Sequence, residues 1–169
     1  MVSFREVRVT DAAAVELLDE YFEHRAFGFP KEQGTYVTVF PTPTDFDPPA
    51  GVFIVVEGEN LAGEEADVGC GGIRHITTSA APDEPALPST IMEVKHLWVR
   101  PHVRRTGVGR ALLAELERRA VTLGATQLVL DTNDSLEAAS SLYRASGFES
   151  ISSYNDNPNA TTWFRKTLA

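Results

Sequence analysis

From Ile91 to Asp131 an apolar strand runs into a basic turn with two glycines, then an amphipathic helix, then a second strand, and no other feature limits the fold as much. Ile91 to Val99 reads as a central strand. A helix from about Gly107 to Leu123 sets Val108, Leu112, Leu116, Ala120 and Leu123 on one face, and Gly124 supplies its stop. Thr126 to Asp131 is the next strand. Within the turn, Gly107 and Gly109 carry no Cβ, so a ligand can approach the main chain closely. The first helical turn leaves N–H groups unpaired at the positive end of the helix dipole. Arg104-Arg105-Thr106-Gly107-Val108-Gly109-Arg110 is therefore built to hold anionic oxygens such as those of a pyrophosphate.

The flanking sequence completes an α/β pattern. Phe4 to Val9 alternates as a strand does, and Thr10-Asp11 caps a helix through Val15, Leu18, Tyr21 and Phe22. Gly28 to Ala50 is rich in proline and glycine and reads as an irregular connection, of the length that usually carries function. Gly51 to Glu57 and Asp67 to Ile76 suggest a hairpin turning at Gly58-Glu59-Asn60, and Ala80 to Pro88 is a proline-containing loop. Asp134 and Glu137 form a capping-box-like pair opening a helix through Leu142 and Tyr143, ended by Gly147. Phe148 to Tyr154 and Thr162 to Leu168 are two last strands joined by the polar loop Asn155 to Asn159. The expected fold is one α/β domain over residues 1–169, a mixed sheet with helices on its faces.

Composition narrows the function classes. The chain has 43% hydrophobic and 23% charged residues, ordinary for a soluble globular domain. No membrane span and no signal peptide are expected. The single cysteine, Cys70, excludes an internal disulfide framework and fits a reducing cytoplasm. A net charge of −9 argues against nucleic acid as the main ligand. The charge is uneven: acids gather at Asp45, Asp47, Glu57, Glu59, Glu64, Glu65, Asp67, Asp83 and Glu84, and bases at Arg100, Arg104, Arg105 and Arg110. That asymmetry suits an anionic cofactor with a cationic acceptor. His24, His75, His96 and His102 lack metal-ligand spacing, so no metal site is expected.

Arg104-x-x-Gly107-x-Gly109 resembles the acyl-coenzyme-A signature of the GNAT N-acetyltransferases. Leu142-Tyr143-Arg144-Ala145-Ser146-Gly147-Phe148 is similar to the family's Leu-Tyr-x-x-x-Gly-Phe element. Glu93-Val94-Lys95-His96-Leu97-Trp98-Val99 and the tail from Tyr154 resemble one branch of it, with Asn159 after Pro158 where that branch commonly has an aromatic residue. The resemblance implies a mostly antiparallel mixed sheet in the order β-α-β-β-β-α-β-α-β-β. It also implies acetyl coenzyme A as cosubstrate and a primary amine, in a small molecule or a peptide, as acceptor in a ternary complex.

Acetyl transfer to an amine needs a base for the amine, a polarised carbonyl and a proton for the leaving thiol. The resemblance places Glu93 at the position that often holds the base, the alternative being a pair with Lys95 on the same strand face. Tyr143, a phenol of ordinary pKa near 10, is implied as the acid, the alternative being a core tyrosine. Asn133 resembles the asparagine that helps hold the pantetheine arm, and turn capping is compatible with that role. Pantetheine amides can pair with the strand edge at Leu97, Trp98 and Val99, where an N–H of Val99 or Arg100 can polarise the thioester carbonyl. Cys70 reads as core, and His96 as structural or as a proton relay.

Two other functions remain open. A dinucleotide-binding oxidoreductase is suggested by Gly107-x-Gly109 after a strand, with Asp131 placed for a ribose. Leu112 at the third small position and the seven residues between Val99 and Gly107 count against it. A non-catalytic coenzyme-A-binding sensor or interaction module is the second. The sequence leaves open whether the chain acts alone or as a homodimer.

Overall fold

Alternation decides which residues face which layer. In the computed structural model, which describes residues 1–77 and 90–168, Val52 to Val56 are all buried because β2 has helices on both sides. Val52, Ile54 and Val56 pack in the cluster that contains Leu112, Leu113 and Leu116, while Phe53 and Val55 pack with Leu17, Leu18 and Phe22. The elements are β1 (Ser3–Val7), α1 (Ala12–Phe27), β2 (Gly51–Glu59), β3 (Glu65–Ile76), β4 (Ile91–Val99), α2 (Val108–Thr122), β5 (Gln127–Thr132), α3 (Glu137–Ala145), β6 (Glu149–Ile151) and β7 (Thr162–Thr167). This is the implied order. The sheet runs β1-β2-β3-β4-β5-β7-β6, and only β4 and β5 are parallel.

Local chemistry sets most boundaries. The Asp11 side chain caps α1 by accepting from the Ala13 N–H at 3.0 Å. Gly124 at φ 86° stops α2, with the Ala125 N–H bonded back to the Ala120 carbonyl. The expected capping box at α3 does not form: Asn133 makes the turn instead, its side chain accepting from the Ser135 N–H at 3.1 Å and its carbonyl from the Leu136 N–H. The Asp134 N–H is taken by the Thr161 hydroxyl. The strand expected from Phe148 to Tyr154 is only Glu149–Ile151, and the hairpin turns at Asn60–Glu64, held by the Asn60 side chain, rather than at Gly58. The expected loop at Ala80 to Pro88, with Asp83 and Glu84, lies outside the described residues.

The Gly28–Ala50 connection has only two short 3-10 turns, at 31–33 and 43–46, yet it is anchored. Phe46 is 1% exposed and lies against the sheet where Gly72 leaves room for it. A Cβ on Gly72 would come within 2.7 Å of the Phe46 ring. This anchor carries the rest of the segment across the end of the sheet.

Candidate active site

Strands β4 and β5 pair only where Ile91–Glu93 meets Gln127–Val129. Beyond Glu93, β4 keeps β3 as its neighbour, β5 keeps β7, and the two part. Beyond Lys95 a bulge bends β4. Cys70 stands opposite Trp98 and Gly72 opposite Lys95, so Gly71 alone faces both His96 and Leu97. His96 takes a left-handed φ of 57° to accommodate the extra residue. The parting opens a cavity of about 1110 Å³, bordered by Val94 to Val99 on one side and Asp131 and Thr132 on the other.

The basic turn lies at the wide end. Gly107 has φ 92° immediately before α2, a conformation that favours glycine, and the first intrahelical bond runs from the Ala111 N–H to the Gly107 carbonyl. The N–H groups of Val108, Gly109 and Arg110 therefore precede the ladder. Arg104, Arg105, Gly107, Gly109 and Arg110 line the cavity, whereas Val108 packs in the core and the Thr106 hydroxyl donates to the Val103 carbonyl. A Cβ on Gly109 would make only ordinary contacts, 3.6 Å to Leu142 and 3.9 Å to Val99. Arg104 lies over the Trp98 ring at 4.8 Å and donates to the Val99 carbonyl at 3.0 Å. Arg100 turns away, bonded to Glu16 and Glu20 of α1. Its N–H is committed to the Val68 carbonyl, so by strand alternation the Val99 N–H, not that of Arg100, points to the cavity side.

Tyr143 reaches the cavity from α3. Its ring packs against Phe148 and Phe164, and its hydroxyl has no hydrogen-bond partner among the described residues. Burial pushes its pKa up to about 12, so the phenol keeps its proton. Glu93 does not border the cavity. It is 1% exposed, with one carboxylate oxygen accepting from Arg74 at 3.0 and 3.1 Å and the other from the Tyr154 hydroxyl at 2.6 Å. Lys95 is 3.9 Å from Glu93 and 3.1 Å from Asp131, so the pairing expected within β4 is secondary to the bridge across to β5.

Two carboxylate residues border the cavity, Glu137 in the first turn of α3 and Asp131 on β5. Asp131 is the one held in a network. It accepts from Lys95 and, at 2.7 Å, from the Asn155 side chain, which in turn accepts from the Trp163 indole. Burial would raise its pKa, but Lys95 and the amides of Asn155 and Asn157 outweigh burial and hold it below the usual range. Asn133 is buried and its side chain is committed within the protein, to Gln33 at 2.7 Å and the Asn159 carbonyl at 3.1 Å. The Asn159 side chain in turn clasps the main chain of Val37 through both its N–H and its carbonyl, at 2.9 and 2.7 Å. The 28–50 segment and the 155–159 loop thus close one end of the cavity together. His96 borders it among Tyr21, Phe22 and Phe46, its pKa lowered to about 3 by burial. Cys70 is buried in the core, and burial pushes its thiol pKa up.

The acetyltransferase (GNAT) family profile matches residues 12–148. The chain belongs to the GNAT family. An uncharacterised N-acetyltransferase of Schizosaccharomyces pombe is 30% identical over 113 residues, 67% of this chain and 61% of that protein. A mycothiol acetyltransferase of Geodermatophilus obscurus is 32% identical over 131 residues, 73% of this chain and 38% of that protein. The matches thus span less than two thirds of either relative. Among solved structures, a GNAT acetyltransferase of Staphylococcus aureus Mu50 covers 100% of both chains at TM-score 0.71 and 16% identity. One from Elizabethkingia anophelis with acetyl-CoA bound gives TM-score 0.60 at 15% identity, covering 99% of this chain and 98% of that one. These two likenesses establish the fold.

The GNAT cleft fits the coenzyme on this chain's own features: a free β4 edge, unpaired helix N–H groups and a glycine whose Cβ side is open. The single parallel strand pair excludes a doubly wound dinucleotide fold. No group of residues suited to a metal ion occurs among the described residues, and no described helix is long and apolar enough to cross a membrane. Sequence reasoning gave no acceptor-site role to Asp131 or Arg25, which the fold brings to the cavity from distant segments. Tyr36 and Asn155, by contrast, lie in the irregular 28–50 segment and the polar 155–159 run, whose composition marks both in the sequence.

Proposed function

We propose that this domain transfers acetyl from acetyl coenzyme A to a primary amine, in a small molecule or a peptide, by direct attack in a ternary complex. The observation that carries the reading is the parting of β4 and β5 beside the N-terminus of α2, with the Tyr143 hydroxyl open to the same cavity. Acetyl coenzyme A supplies the activated acetyl group. The N–H groups of Val108, Gly109 and Arg110, with Arg104 and Arg105, hold its phosphates, and the edge at Leu97, Trp98 and Val99 pairs with its amide arm. Arg104 leaves the Val99 carbonyl when that edge is used. The Val99 N–H polarises the carbonyl, and Tyr143 protonates the leaving thiol.

The amine arrives as an ammonium and loses its proton before attack. Glu93 accepts that proton through water, since its carboxylate lies behind the cavity wall, and Asp131 orients the ammonium at the wall itself. Asn133 acts on the coenzyme's arm indirectly, by fixing the turn before α3 and the 155–159 loop. Retention of an open, protonated phenol favours turnover over a coenzyme-A sensor. The test is thiol release from acetyl coenzyme A across a panel of primary amines, with Tyr143→Phe as control. We expect turnover in the parent, a loss of roughly 10²-fold in kcat in the variant, and equal coenzyme affinity in both. Coenzyme binding without turnover on any amine would leave the sensor.

A further inference from the structure

The charges on the strands that form the cavity are matched, and Glu137 lies on α3. Arg74 has Glu93 and Asp45, and Lys95 has Asp131. Arg104, Arg105 and Arg110 cluster at the α2 N-terminus, where the coenzyme phosphates bind. Arg25, in the last turn of α1, is left over. It lines the cavity and has no carboxylate partner among the described residues. Its Nε is shielded from solvent and makes no hydrogen bond. Its guanidinium carbon lies 5.4 Å from the centre of the Tyr36 ring, and stacking of this kind holds the donor fork in place.

The residue is half-buried, and a shielded donor of a cation beside aromatic rings with no anion near it is unfavourable, so the arrangement suits a negative group from outside the chain. The fork of a guanidinium matches a carboxylate through two parallel hydrogen bonds. The remaining wall is apolar: Phe22, Tyr36, Phe40 and Phe46 surround this end of the cavity.

We infer that Arg25 forms a carboxylate subsite, so the acceptor is an amine that carries a carboxylate on an apolar or aromatic body, as an apolar α-amino acid does. This rests on the acetyl-transfer reading above and specifies its substrate class. The ammonium of such a molecule lies against Asp131, its carboxylate against Arg25, and its side chain among the rings. The acidic balance of the whole chain does not contradict it, because the cavity wall has its own charge pattern.

The test compares phenylalanine, leucine and methionine with their carboxamides and with phenethylamine, in thiol release, for the parent and Arg25→Gln. In the parent we expect the acids to exceed their amides about 10- to 100-fold in kcat/KM. Arg25→Gln should remove that preference through KM, leave phenethylamine unchanged, and leave acetyl coenzyme A affinity by calorimetry unchanged. Arg25→Lys should restore part of it. In a second arm, N-acetylphenylalanine and its amide are titrated into protein saturated with coenzyme A. The acid should bind more tightly in the parent only.

Equal use or equal binding of acid and amide in the parent overturns the subsite while acetyl transfer stands if any amine reacts. A fall in coenzyme affinity that matches the fall in activity of Arg25→Gln also overturns it, assigning Arg25 to the coenzyme. Carboxylate-dependent binding that Arg25→Gln abolishes, with no thiol release from any amine, supports the subsite and overturns acetyl transfer.

Discussion

Two carboxylates stand behind the proposed proton transfer, and they differ in what they face: Asp131 borders the cavity, whereas Glu93 is enclosed by Arg74 and Tyr154. Glu93→Gln keeps the size and one acceptor oxygen, but it removes the proton acceptor and the charge that pairs with Arg74. With a confirmed amine substrate its rate should fall at neutral pH and recover partly at higher pH, where more amine is already neutral. Asp131→Asn should instead raise KM for the amine with little change in pH profile. A Glu93→Gln profile that matches the parent would move the base to Asp131. His96 gives a separate prediction about stability. Its folded pKa of about 3 lies below its ordinary 6.5, so protons favour the unfolded chain and stability is lost as pH falls from 6.5 toward 3. His96→Asn tolerates the left-handed φ and removes this loss. Urea unfolding should show the variant gaining on the parent by up to about 1.4 kcal/mol per pH unit below 6.5. The place of Tyr143 was readable because its neighbours form a local motif. The partners of Glu93 were not, because Arg74 and Tyr154 lie 19 and 61 residues away in sequence.

The helix α2 with its preceding turn is the element on which coenzyme binding depends. Gly109→Glu places a carboxylate where the phosphates are expected, yet a Cβ there meets only ordinary contacts, so the variant should fold. Calorimetry should show near-complete loss of acetyl coenzyme A binding with an unchanged unfolding transition; unchanged affinity would remove the turn from the site. This element was legible from sequence because glycine spacing, helical periodicity and the Gly124 stop all act locally. Helix α3 was less so. Asp134 and Glu137 have the spacing of a cap, but Thr161 takes the Asp134 N–H and Asn133 makes the turn, so a tertiary contact prevailed over a local one. The short β6 has the same origin: after Ile151 the chain leaves the sheet, and Tyr154 and Asn155 reach Glu93 and Asp131 instead.

Across the whole molecule, the element order and a mixed sheet with helices on its faces followed from alternation and periodicity, and the mostly antiparallel pairing was implied by the family resemblance, whereas the bulge at His96 left no sequence mark, since His, Leu and Trp fit an unbroken strand equally well. That bulge shapes the parting of β4 from β5. Because the strands rejoin at Glu93 and Val129, the cleft is a wedge with a fixed apex, closed by main-chain hydrogen bonds that no side-chain movement can open. A wedge is a length gauge: a small acyl group fits short of the apex, and each added methylene must displace packed wall or turn back toward the acceptor. Turnover should therefore fall stepwise from acetyl to propionyl to butyryl coenzyme A, with binding of the nucleotide end nearly constant. Equal rates for all three would mean that the apex lies beyond the reach of the thioester.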